Sequence, residues 1–518
     1  MEKRWNIKEI EDGFAVETLA DSLKIYEVLA RLLVERGIKS YNDAKKFFRP
    51  SLDSLYDPFL MDGMETATYR LIQALTENQL ITVYGDYDVD GTCATAILYL
   101  FLKELDANVD FYIPKRLSEG YGISKLGIDQ VKSKGTSLLI SVDCGITAIE
   151  ETEYANQLGM DVIICDHHQP KEELPNALAV LDPLKPGCNY PFKYLSGAGI
   201  AFKLAQGLAE RIGKREAPLA YLDLAALAGA ADIVPLTDEN RVIVSEGLRL
   251  INESPRPAIA ALIEASHLHP GNLTSGQIVF TIAPRINAVG RMGDAERAVE
   301  LLITKDKTEA MQLAAVLENE NYERRKIDVD TFDEAMQLVE NSLDLDNEMA
   351  IILHQEEWHP GVIGIVASRL VEKYYRPTIM LTTIDGVAKG SARSISNFIN
   401  SELRFSEITP KFLRILDLFA PFGPGNMRPV FLSKNVKIVN TPRIVGNDHL
   451  LCSFKQDGTN KVFDCIGFNM KDFYDTLINS NGDLNIVYSI DKTVRDERTF
   501  PQFRLKDIKT KEQMQETL

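Results

Sequence analysis

Residues 83–92 read Val-Tyr-Gly-Asp-Tyr-Asp-Val-Asp-Gly-Thr and contain three alternating carboxylates, at positions 86, 88 and 90. They follow the apolar run Leu80–Tyr84, which predicts a short buried strand. Three acids this close together repel one another unless a cation neutralises them. A solvated turn and a calcium loop are two other interpretations. The calcium-loop pattern is matched up to Gly91, but the glutamate needed near its end is absent and small apolar residues follow.

The chain around this run alternates short apolar stretches with helical patterns. We predict strands at residues 80–84, 109–113, 137–142, 161–165 and 177–181, and helices at 92–105, 148–158 and 198–232. This alternation predicts a parallel sheet covered by helices on both faces. Since the carboxyl ends of parallel strands meet at one edge, that edge is where such sheets place ligand sites.

Three more motifs bring acids or histidines to equivalent places. They are Ser-Val-Asp-Cys-Gly-Ile at 141–146, Ile-Ile-Cys-Asp-His-His-Gln at 163–169 and Ala-Gly-Ala-Ala-Asp-Ile-Val at 228–234, which hold Asp143, Asp166, His167, His168 and Asp232. A single aspartate after a strand is usually a turn or cap residue. Acids at successive strand ends instead predict one rim rich in carboxylates with two imidazoles. This donor set favours Mn²⁺ or Mg²⁺, and its size indicates two ions that share a carboxylate for in-line attack on phosphorus.

The second half of the chain predicts a different architecture. Residues 294–343 carry apolar residues at helical spacing among many charges and predict a long connecting helix. A second α/β unit is predicted from strands at 349–353 and 378–381 and a helix at 362–374. Five strand-like stretches follow, at 430–439, 449–454, 461–468, 484–488 and 502–505, and predict a small barrel or sandwich.

Composition limits the class of protein. The 518 residues suggest roughly three domains, and the hydrophobic content of 45% is that of a folded globular chain. The net charge of −18 excludes a uniformly basic surface but allows a local cationic groove. No apolar run approaches the ~20 residues of a membrane-spanning helix, and the start of the chain does not read as a signal peptide. The six cysteines are scattered, which is typical of a reduced cytoplasmic protein.

The motifs resemble those of the DHH phosphoesterase superfamily and, within it, the RecJ family of bacterial single-strand exonucleases. The acid motifs that carry the resemblance are GDYDVDG at 85–91, SVDCGI at 141–146, DHH at 166–168 and GAADIVPL at 229–236. Accessory stretches of the same family occur at 115–122, 284–291, 358–364, 390–394 and 420–426. They run in the family's order over about residues 50–430, and four acid motifs with these stretches are far more specific than DHH alone.

The resemblance implies an α/β fold with a parallel-sheet DHH domain, a long connecting helix, a smaller α/β lobe and a C-terminal barrel of oligonucleotide-binding (OB) type. The implied domains are an N-terminal helical region at 1–75, the DHH catalytic domain at 76–290, the connecting helix at 291–345, a DHH-associated substrate-binding lobe at 346–405 and the OB-like domain at 406–518.

The resemblance also implies roles for the acids and histidines. Asp88 and Asp143 would bind one ion, and the second would be bound by Asp90, Asp143, His167 and Asp232, so that Asp143 bridges. Asp86 would be either a further ligand or an acid that supports the ligands without touching the ions. Asp166 would orient a histidine, and His168 would touch the scissile phosphate. The attacking group would be a water between the ions, so that no side chain acts as nucleophile.

The accessory stretches predict phosphate contacts. Arg393, beside Ser391 in a glycine-initiated turn, would offer a forked donor for a terminal phosphate. Further candidates from loops around the same cleft are Arg116, Tyr121, Arg285 and Arg291. His359, after Trp358, is a candidate with two interpretations: contact with the substrate or support of the second lobe. For any single arginine a surface ion pair is the alternative interpretation.

One departure from the family pattern concerns the second lobe. RecJ-like chains usually carry a Gly-Gly-His segment after the Gly-Ser-x-Arg-Ser motif, and this sequence has none. Either the segment is deleted or the sequence as given omits a stretch, so we expect the end-binding lobe to be incomplete.

The implied function is metal-dependent 5′→3′ hydrolysis of single-stranded DNA in repair and recombination, by a bacterial cytoplasmic enzyme. The implied cofactors are two divalent ions, Mn²⁺ or Mg²⁺. The implied partners are 5′-phosphorylated single strands, with a single-strand-binding protein and a helicase as family-level expectations; we expect a monomer with no membrane contact.

Two alternatives stay open: a phosphodiesterase for short oligonucleotides or cyclic dinucleotides, and a non-catalytic DNA-binding relative.

Overall fold

The structure, a computed structural model, describes residues 5–115, 119–292, 294–345, 347–384, 386–394, 398–446, 448–480, 484–495 and 498–515. The chain divides into two units. The barrel unit comprises residues 1–49, 396–420 and 426–518, and the sheet unit comprises residues 50–395 and 421–425. The predicted N-terminal region at 1–75 is therefore shared between the two. Within the described residues, no helix combines the length and apolarity needed to cross a bilayer.

The barrel unit begins with three helices, α1 (Gly13–Leu23), α2 (Glu27–Val34) and α3 (Tyr41–Phe48). Asp12 and Ser40 cap α1 and α3 by accepting hydrogen bonds from backbone amides. Helix α2 is almost wholly apolar and buries Leu29, Leu32 and Leu33, which anchors these helices in the unit.

The sheet unit contains the predicted parallel sheet. Its strands are β1 (Ile81–Tyr84), β2 (Val109–Tyr112), β3 (Leu138–Val142), β4 (Asp161–Cys165) and β5 (Ala179–Leu181). They are arranged in the order β2-β1-β3-β4-β5 and all neighbours pair in parallel. Strands β1 and β3 are buried along their whole length, which explains their unbroken apolar sequences. The predicted fold of this part is confirmed.

Helices cover the sheet and precede the second lobe of this unit. They are α4 (Met64–Thr76), α5 (Val89–Glu104), α6 (Lys125–Ser133), α7 (Ile149–Gln157), α8 (Gly197–Arg211), α9 (Leu222–Ala231), α10 (Asp238–Glu253), α11 (Pro257–Ala265), α12 (Ser275–Gln277), α13 (Ala283–Met292), α14 (Glu296–Ile303) and α15 (Lys307–Ser342). Helices α5, α8 and α9 are apolar on nearly every side and lie inside the main core, next to the carboxyl edge of the sheet.

The predicted long connecting helix is divided in two. Helix α14 ends at Ile303 and α15 begins at Lys307. The break occurs because the Asp306 side chain caps α15, accepting a hydrogen bond from the Glu309 amide at 2.8 Å. Sequence periodicity could not locate this boundary, since apolar spacing continues across it.

The second lobe follows α15 within the sheet unit. It comprises β6 (Ile351–His354), α16 (Ile363–Tyr374), β7 (Thr378–Ile384) and β8 (Val387–Arg393). Strand β7 pairs in parallel with β6 and antiparallel with β8. The sequence predicts a turn at residues 390–393, and this prediction is wrong. These residues form the end of β8, where Ser391 pairs with Met380 and Arg393 pairs with Thr378. Glycine here allows close packing against Leu381 rather than a turn.

The C-terminal part forms the predicted barrel. Its elements are β9 (Ser401–Glu402), α17 (Pro410–Asp417), β10 (Phe431–Ile438), β11 (Arg443–Val445), β12 (His449–Gln456), β13 (Val462–Gly467), α18 (Tyr474–Asn479), β14 (Leu484–Arg495), β15 (Arg498–Thr510) and α19 (Lys511–Gln515). Strands β12, β13, β15, β14 and β10 close into a ring through the pairing of β10 with β12. Stacked aromatic rings fill it, with Tyr488 and Phe503 centroids 4.0 Å apart. The five ring strands are the five that the sequence predicts.

Candidate active site

The first acid motif lies at the junction of β1 and α5. Helix α5 begins at Val89, earlier than predicted, so that Asp88 caps it and Asp90 lies in its first turn. The Asp88 carboxylate accepts a hydrogen bond from the Gly91 amide at 3.0 Å. A Cβ on Gly91 would lie 2.6 Å from the carbonyl oxygen of Asp86, so glycine is required here. This tight turn brings all three carboxylates to the carboxyl end of β1.

Asp143 lies at the end of β3 in a conformation that aspartate seldom adopts. Its φ is 60°, in the left-handed region. Its amide donates a hydrogen bond to the Cys165 carbonyl oxygen at 2.9 Å, which joins it to the end of β4. The residue is buried. Strained backbone of this kind persists where the surrounding structure holds it, commonly at functional sites.

Asp166 organises the two histidines after β4. Its carboxylate accepts hydrogen bonds from the backbone amides of Ile146 (2.9 Å), His167 (2.8 Å) and His168 (3.2 Å). Its Oδ1 also lies 2.7 Å from Nδ1 of His168. Burial alone would raise the pKa of Asp166, but the contact with His168 and these amides hold it below its ordinary value. The same contact raises the pKa of His168, which favours its imidazolium form.

His167 lies at the centre of the acidic cluster. Its Nε2 is 3.1 Å from Asp143 Oδ1, 3.5 Å from Asp232 Oδ2 and 3.7 Å from Asp90 Oδ2. Four sequence motifs, distant along the chain, therefore converge within one small volume at the carboxyl edge of the sheet.

Three overlapping groups of side chains have the spacing of metal ligands. Their ligand atoms lie within 4.8 Å of one another, and the groups are Asp86/Asp88/Asp143, Asp90/His167/Asp232 and Asp143/His167/His168. Among the described residues, Asp143 Oδ1, His167 Nε2 and Asp232 Oδ2 are buried without a hydrogen-bond partner. Buried polar atoms rarely stay unsatisfied, so these atoms fit the ligands of a divalent cation.

The electrostatics of the cluster lead to the same conclusion. Burial, together with the neighbouring aspartates, raises the pKa of Asp143 well above its ordinary value and that of Asp90 in the same direction. Burial and the charges of Asp90 and Asp88 raise the pKa of Asp232 to about 9. Acids this crowded favour either protons or a metal ion, and no cysteine belongs to the ligand groups found among the described residues.

The sequence analysis missed the residues that hold Asp90. The first turn of helix α8 faces it, and the amides of Gly197 and Ala198 donate hydrogen bonds to its carboxylate at 2.6 and 2.9 Å. A Cβ on Gly197 would lie 2.6 Å from the Cβ of Asp143, so the helix can approach only because this residue is glycine. The available signal was Ser196 followed by Gly-Ala-Gly, a capped helix start with unusually small residues.

Arg116 and Tyr121 are the two candidate phosphate contacts in the stretch at 115–122. Arg116 lies outside the described residues, so only Tyr121 can be placed. The Tyr121 hydroxyl is 3.3 Å from Nε2 of His168 and 3.4 Å from the Asp143 carbonyl oxygen. Its ring is more than half exposed. Tyr121 therefore lies at the rim of the acidic cluster.

The two arginines expected in a loop at 284–291 lie instead on helix α13. Arg285 is only 3% exposed and forms an ion pair with Glu318 of α15, so the structure brings it to the helix interface and not to the acidic cluster. Arg291 donates a hydrogen bond to the Gly361 carbonyl oxygen. The Gly361 amide in turn donates to Nδ1 of His359 at 3.0 Å, which places Arg291 and His359 side by side.

Ser391 and Arg393 lie together on β8 beside the start of helix α16. The Arg393 guanidinium donates a hydrogen bond to the Ser391 hydroxyl at 2.9 Å. A Cβ on Gly364, in the first turn of α16, would lie 3.0 Å from that hydroxyl and 3.2 Å from Arg393 Nη2. An exposed arginine, a hydroxyl and a helix start thus share one small surface, which suits an anion.

The chain matches models of two protein families and is similar to known exonucleases. The model described as "DHH family, N-terminal domain" matches residues 80–229, and the "RecJ OB domain" model matches residues 399–507. The single-stranded-DNA-specific exonuclease RecJ of Bacillus subtilis (strain 168) is 36% identical, over 98% of this chain and 71% of the relative. The chain belongs to the RecJ family.

Other members of the RecJ family agree with this assignment. The RecJ of Dickeya dadantii is 37% identical over 73% of this chain and 67% of the relative. The crystal structure of Thermus thermophilus RecJ in complex with Mn²⁺ superposes with a TM-score of 0.80, at 27% identity, over 98% of this chain and 79% of that one.

The alignment with the RecJ of B. subtilis extends over 569 positions, more than the 518 residues of this chain, so dozens of positions in the relative have no counterpart here.

The raised pKa values predict how pH affects the metal-free protein. Because Asp143 and Asp232 hold protons in the native state at a pH where the unfolded chain has released them, the native state binds more protons. The free energy of unfolding should therefore fall as pH rises from about 5 towards 9. We expect the thermal midpoint in EDTA to drop by several degrees over that range, and saturating Mn²⁺ to reduce the drop. A midpoint in EDTA that rises with pH would contradict this prediction.

Proposed function

We propose that this chain is a metal-dependent exonuclease that hydrolyses phosphodiester bonds of single-stranded DNA in the 5′→3′ direction, in DNA repair and recombination. One observation carries the proposal: His167 Nε2 lies within 3.7 Å of carboxylate oxygens of Asp143, Asp232 and Asp90. A further ligand group, formed by Asp86, Asp88 and Asp143, adjoins it. Support comes from the relatives, which are single-stranded-DNA-specific exonucleases.

The two ligand groups suit two divalent ions, and Mn²⁺ or Mg²⁺ is the proposed cofactor. Asp88, Asp143 and Asp86 would hold one ion; Asp90, Asp143, His167 and Asp232 would hold the other. Crystal structures of T. thermophilus RecJ with Mn²⁺ and with Mg²⁺ support this choice. When bound, such ions polarise a phosphodiester and lower the pKa of a nearby water.

His168 and Asp166 are proposed to act on the substrate side. The contact with Asp166 raises the pKa of His168, so the ring carries a positive charge at neutral pH more often than a free histidine. Half of the His168 side chain is exposed, so it can donate a hydrogen bond to a phosphate oxygen. Tyr121 lies against Nε2 of His168 and would position the ring or the substrate at this point.

A cationic cleft of about 540 Å³ in the sheet unit suits the path of a single strand. It lies between helices α13, α15 and α16. Its lining includes four arginines (Arg291, Arg324, Arg325 and Arg369), Phe280, and Asp328, which pairs with Arg369 at 3.2 Å. Phe280 is 79% exposed, which leaves its ring open for a base to stack on. Arginines that pair with phosphates and an exposed ring that stacks on bases are the combination that binds single strands.

The barrel unit has a second such surface on the outside of its strands. The exposed ring of Phe468 has the Arg504 guanidinium 5.2 Å from its centroid and the His449 ring 5.1 Å away. Barrels of this type bind single strands by stacking bases on such rings. We therefore propose hydrolysis for the domain at 76–290, end binding for the lobe at 346–405 and strand binding for the domain at 406–518.

Arg393 and Ser391 are proposed to recognise a 5′-phosphate. Replacing Arg393 by alanine removes a charged hydrogen bond worth ~1.5–3 kcal/mol, so we expect kcat/KM on 5′-phosphorylated strands to fall roughly ten- to a hundredfold. Strands with a 5′-hydroxyl should be much less affected. Lys373→Ala, at the far end of helix α16, is the matched control. It should leave kcat/KM unchanged on both the 5′-phosphorylated and the 5′-hydroxyl strands. An equal loss on both ends would place Arg393 elsewhere along the strand.

The experiment that tests the function uses the purified chain with a 3′-labelled, 5′-phosphorylated single strand, the matching duplex and a dinucleotide. We expect stepwise shortening of the single strand in Mn²⁺ or Mg²⁺, no reaction in EDTA and little on the duplex. Preference for the dinucleotide would instead support a phosphodiesterase for short oligonucleotides. Binding of the strand without hydrolysis in either metal would indicate a non-catalytic relative.

A further inference from the structure

An ion pair with no solvent exposure lies within the sheet unit, away from the acidic cluster. Lys203 of helix α8 and Glu239 of helix α10 are both fully buried, with Nζ and Oε1 2.6 Å apart. Burial lowers the pKa of Lys203, and the charge of Glu239 opposes that shift. Neither residue touches the proposed substrate path, so the hydrolytic site does not by itself explain them.

Further hydrogen bonds surround the pair. The Tyr190 hydroxyl donates to Glu239 Oε2 at 2.6 Å, and the Tyr56 amide donates to Glu239 Oε1 at 2.9 Å. Lys203 Nζ donates to the Tyr56 carbonyl oxygen at 2.7 Å. Several directional bonds thus hold the two charged groups in one geometry.

The two helices joined by this pair lie next to two members of one ligand group in space or along the chain. The first turn of α8 holds Asp90 through the amides of Gly197 and Ala198. Asp232 ends helix α9, and helix α10 begins six residues further on, at Asp238. Ile233, which opens the connection, and Asp238, which follows it, have φ values of 61° and 47°. Glu239 therefore anchors the far end of a strained connection that begins at Asp232.

Stability alone does not account for a buried pair of this kind. Removing one partner of such a pair is strongly destabilising, but replacing both by uncharged residues of similar size is often neutral. Buried ionic groups are retained in some proteins because they specify one geometry. Here the geometry at stake is the separation of helices α8 and α10.

We propose that Lys203 and Glu239 are positioning residues that set the distance between Asp90 and Asp232, and so the affinity of the Asp90/His167/Asp232 group for a divalent cation. The inference rests on the proposed metal site. It concerns residues that never touch the metal or the substrate, and they act only by orienting the two helices.

The test is the double variant Lys203→Met/Glu239→Gln in the full chain, which removes one charge of each sign and leaves the net charge unchanged. Mn²⁺ binding is measured by calorimetry and the thermal midpoint is measured in EDTA. We expect a midpoint close to that of the unmodified chain and a dissociation constant about tenfold higher for one of two Mn²⁺ sites. Activity should recover at high Mn²⁺, because the defect is in metal affinity.

A control variant separates positioning from stability. Arg70→Met breaks the 2.6 Å ion pair with Asp161 at the amino end of β4, opposite the acidic edge. It should lower the thermal midpoint without changing Mn²⁺ binding. If Mn²⁺ affinity falls in proportion to the loss of thermal midpoint in every variant, including Arg70→Met, the positioning role is overturned.

The remaining outcomes distinguish this inference from the proposed function. If the unmodified chain binds no Mn²⁺, the metal site and this inference both fail. If it binds Mn²⁺ and the double variant binds equally well, only the inference fails. If the double variant does not fold, Mn²⁺ binding is measured instead on Glu239→Asp, which keeps the negative charge but has a side chain one methylene shorter. Weaker Mn²⁺ binding by this variant supports the positioning role. Unchanged Mn²⁺ binding overturns the positioning role.

Discussion

Replacing Asp143 by asparagine is expected to lower the rate of single-strand hydrolysis by ~10³-fold or more, equivalent to at least about 4 kcal/mol of the activation barrier. Asp143 belongs to two of the three ligand groups, Asp86/Asp88/Asp143 and Asp143/His167/His168. It is the proposed bridging acid, so its loss would leave each proposed ion short of an anion. Asparagine is the suitable replacement because it tolerates the left-handed backbone at φ 60°, where alanine would add strain. The assay is release of nucleotides from a 5′-phosphorylated single strand in Mn²⁺.

The fold should survive this substitution. Because burial and neighbouring acids raise the pKa of Asp143, the metal-free native state must take up a proton there that the unfolded chain has released at neutral pH. Asparagine is neutral without this cost, so the metal-free thermal midpoint should stay equal or rise. Asp161→Asn is the matched control, because it removes a carboxylate from the opposite end of the adjacent strand β4. Near-normal turnover of Asp143→Asn in Mn²⁺ would contradict the shared-ligand assignment.

Replacing Gly197 by alanine is expected to reduce hydrolysis about a hundredfold, because displacing a reacting group by ~1 Å costs this much. The new Cβ would lie 2.6 Å from Asp143 Cβ and 2.8 Å from its Oδ1, distances that real side chains do not reach. Either Asp143 or the first turn of α8, which holds Asp90, must move. Mn²⁺ binding, measured by calorimetry, should weaken together with activity.

Gly199→Ala, two residues along the same helix, is a close control. Its Cβ would meet only Leu195 and Ser196, at 3.4 Å or more, which is ordinary contact. Both substitutions raise helix propensity to a similar degree. If the two variants lose activity equally, the effect comes from the helix and not from the approach of Gly197 to Asp143.

Local patterns in the sequence were sufficient to predict most elements of the fold. The central strands of the parallel sheet are almost wholly apolar because both of their faces are buried, so each can be recognised without its neighbours. The five strands of the barrel ring are likewise marked by their own apolar residues. Short strands such as β9 and β11 were missed, because two or three residues carry no periodicity.

The acidic site was predictable for a related reason. Asp143 and the Asp166–His168 motif each follow a recognisable strand, and the carboxyl ends of parallel strands meet at one edge. Sequence alone could therefore bring these residues together. The role of each, and the sharing of Asp143, came from the resemblance to a family and remain proposals that the two leading substitutions test.

Contacts between distant segments were decided only by the tertiary structure. The amides that hold Asp90 belong to Gly197 and Ala198, and the partner of Lys203 is Glu239; no local pattern links such pairs. Arg285 looked like a phosphate ligand but pairs with Glu318 inside the protein, and Arg393 lies in a strand and not a turn. The physical reason is that apolar periodicity and strand ends are properties of short segments, whereas a side chain's partner depends on which helices pack against each other.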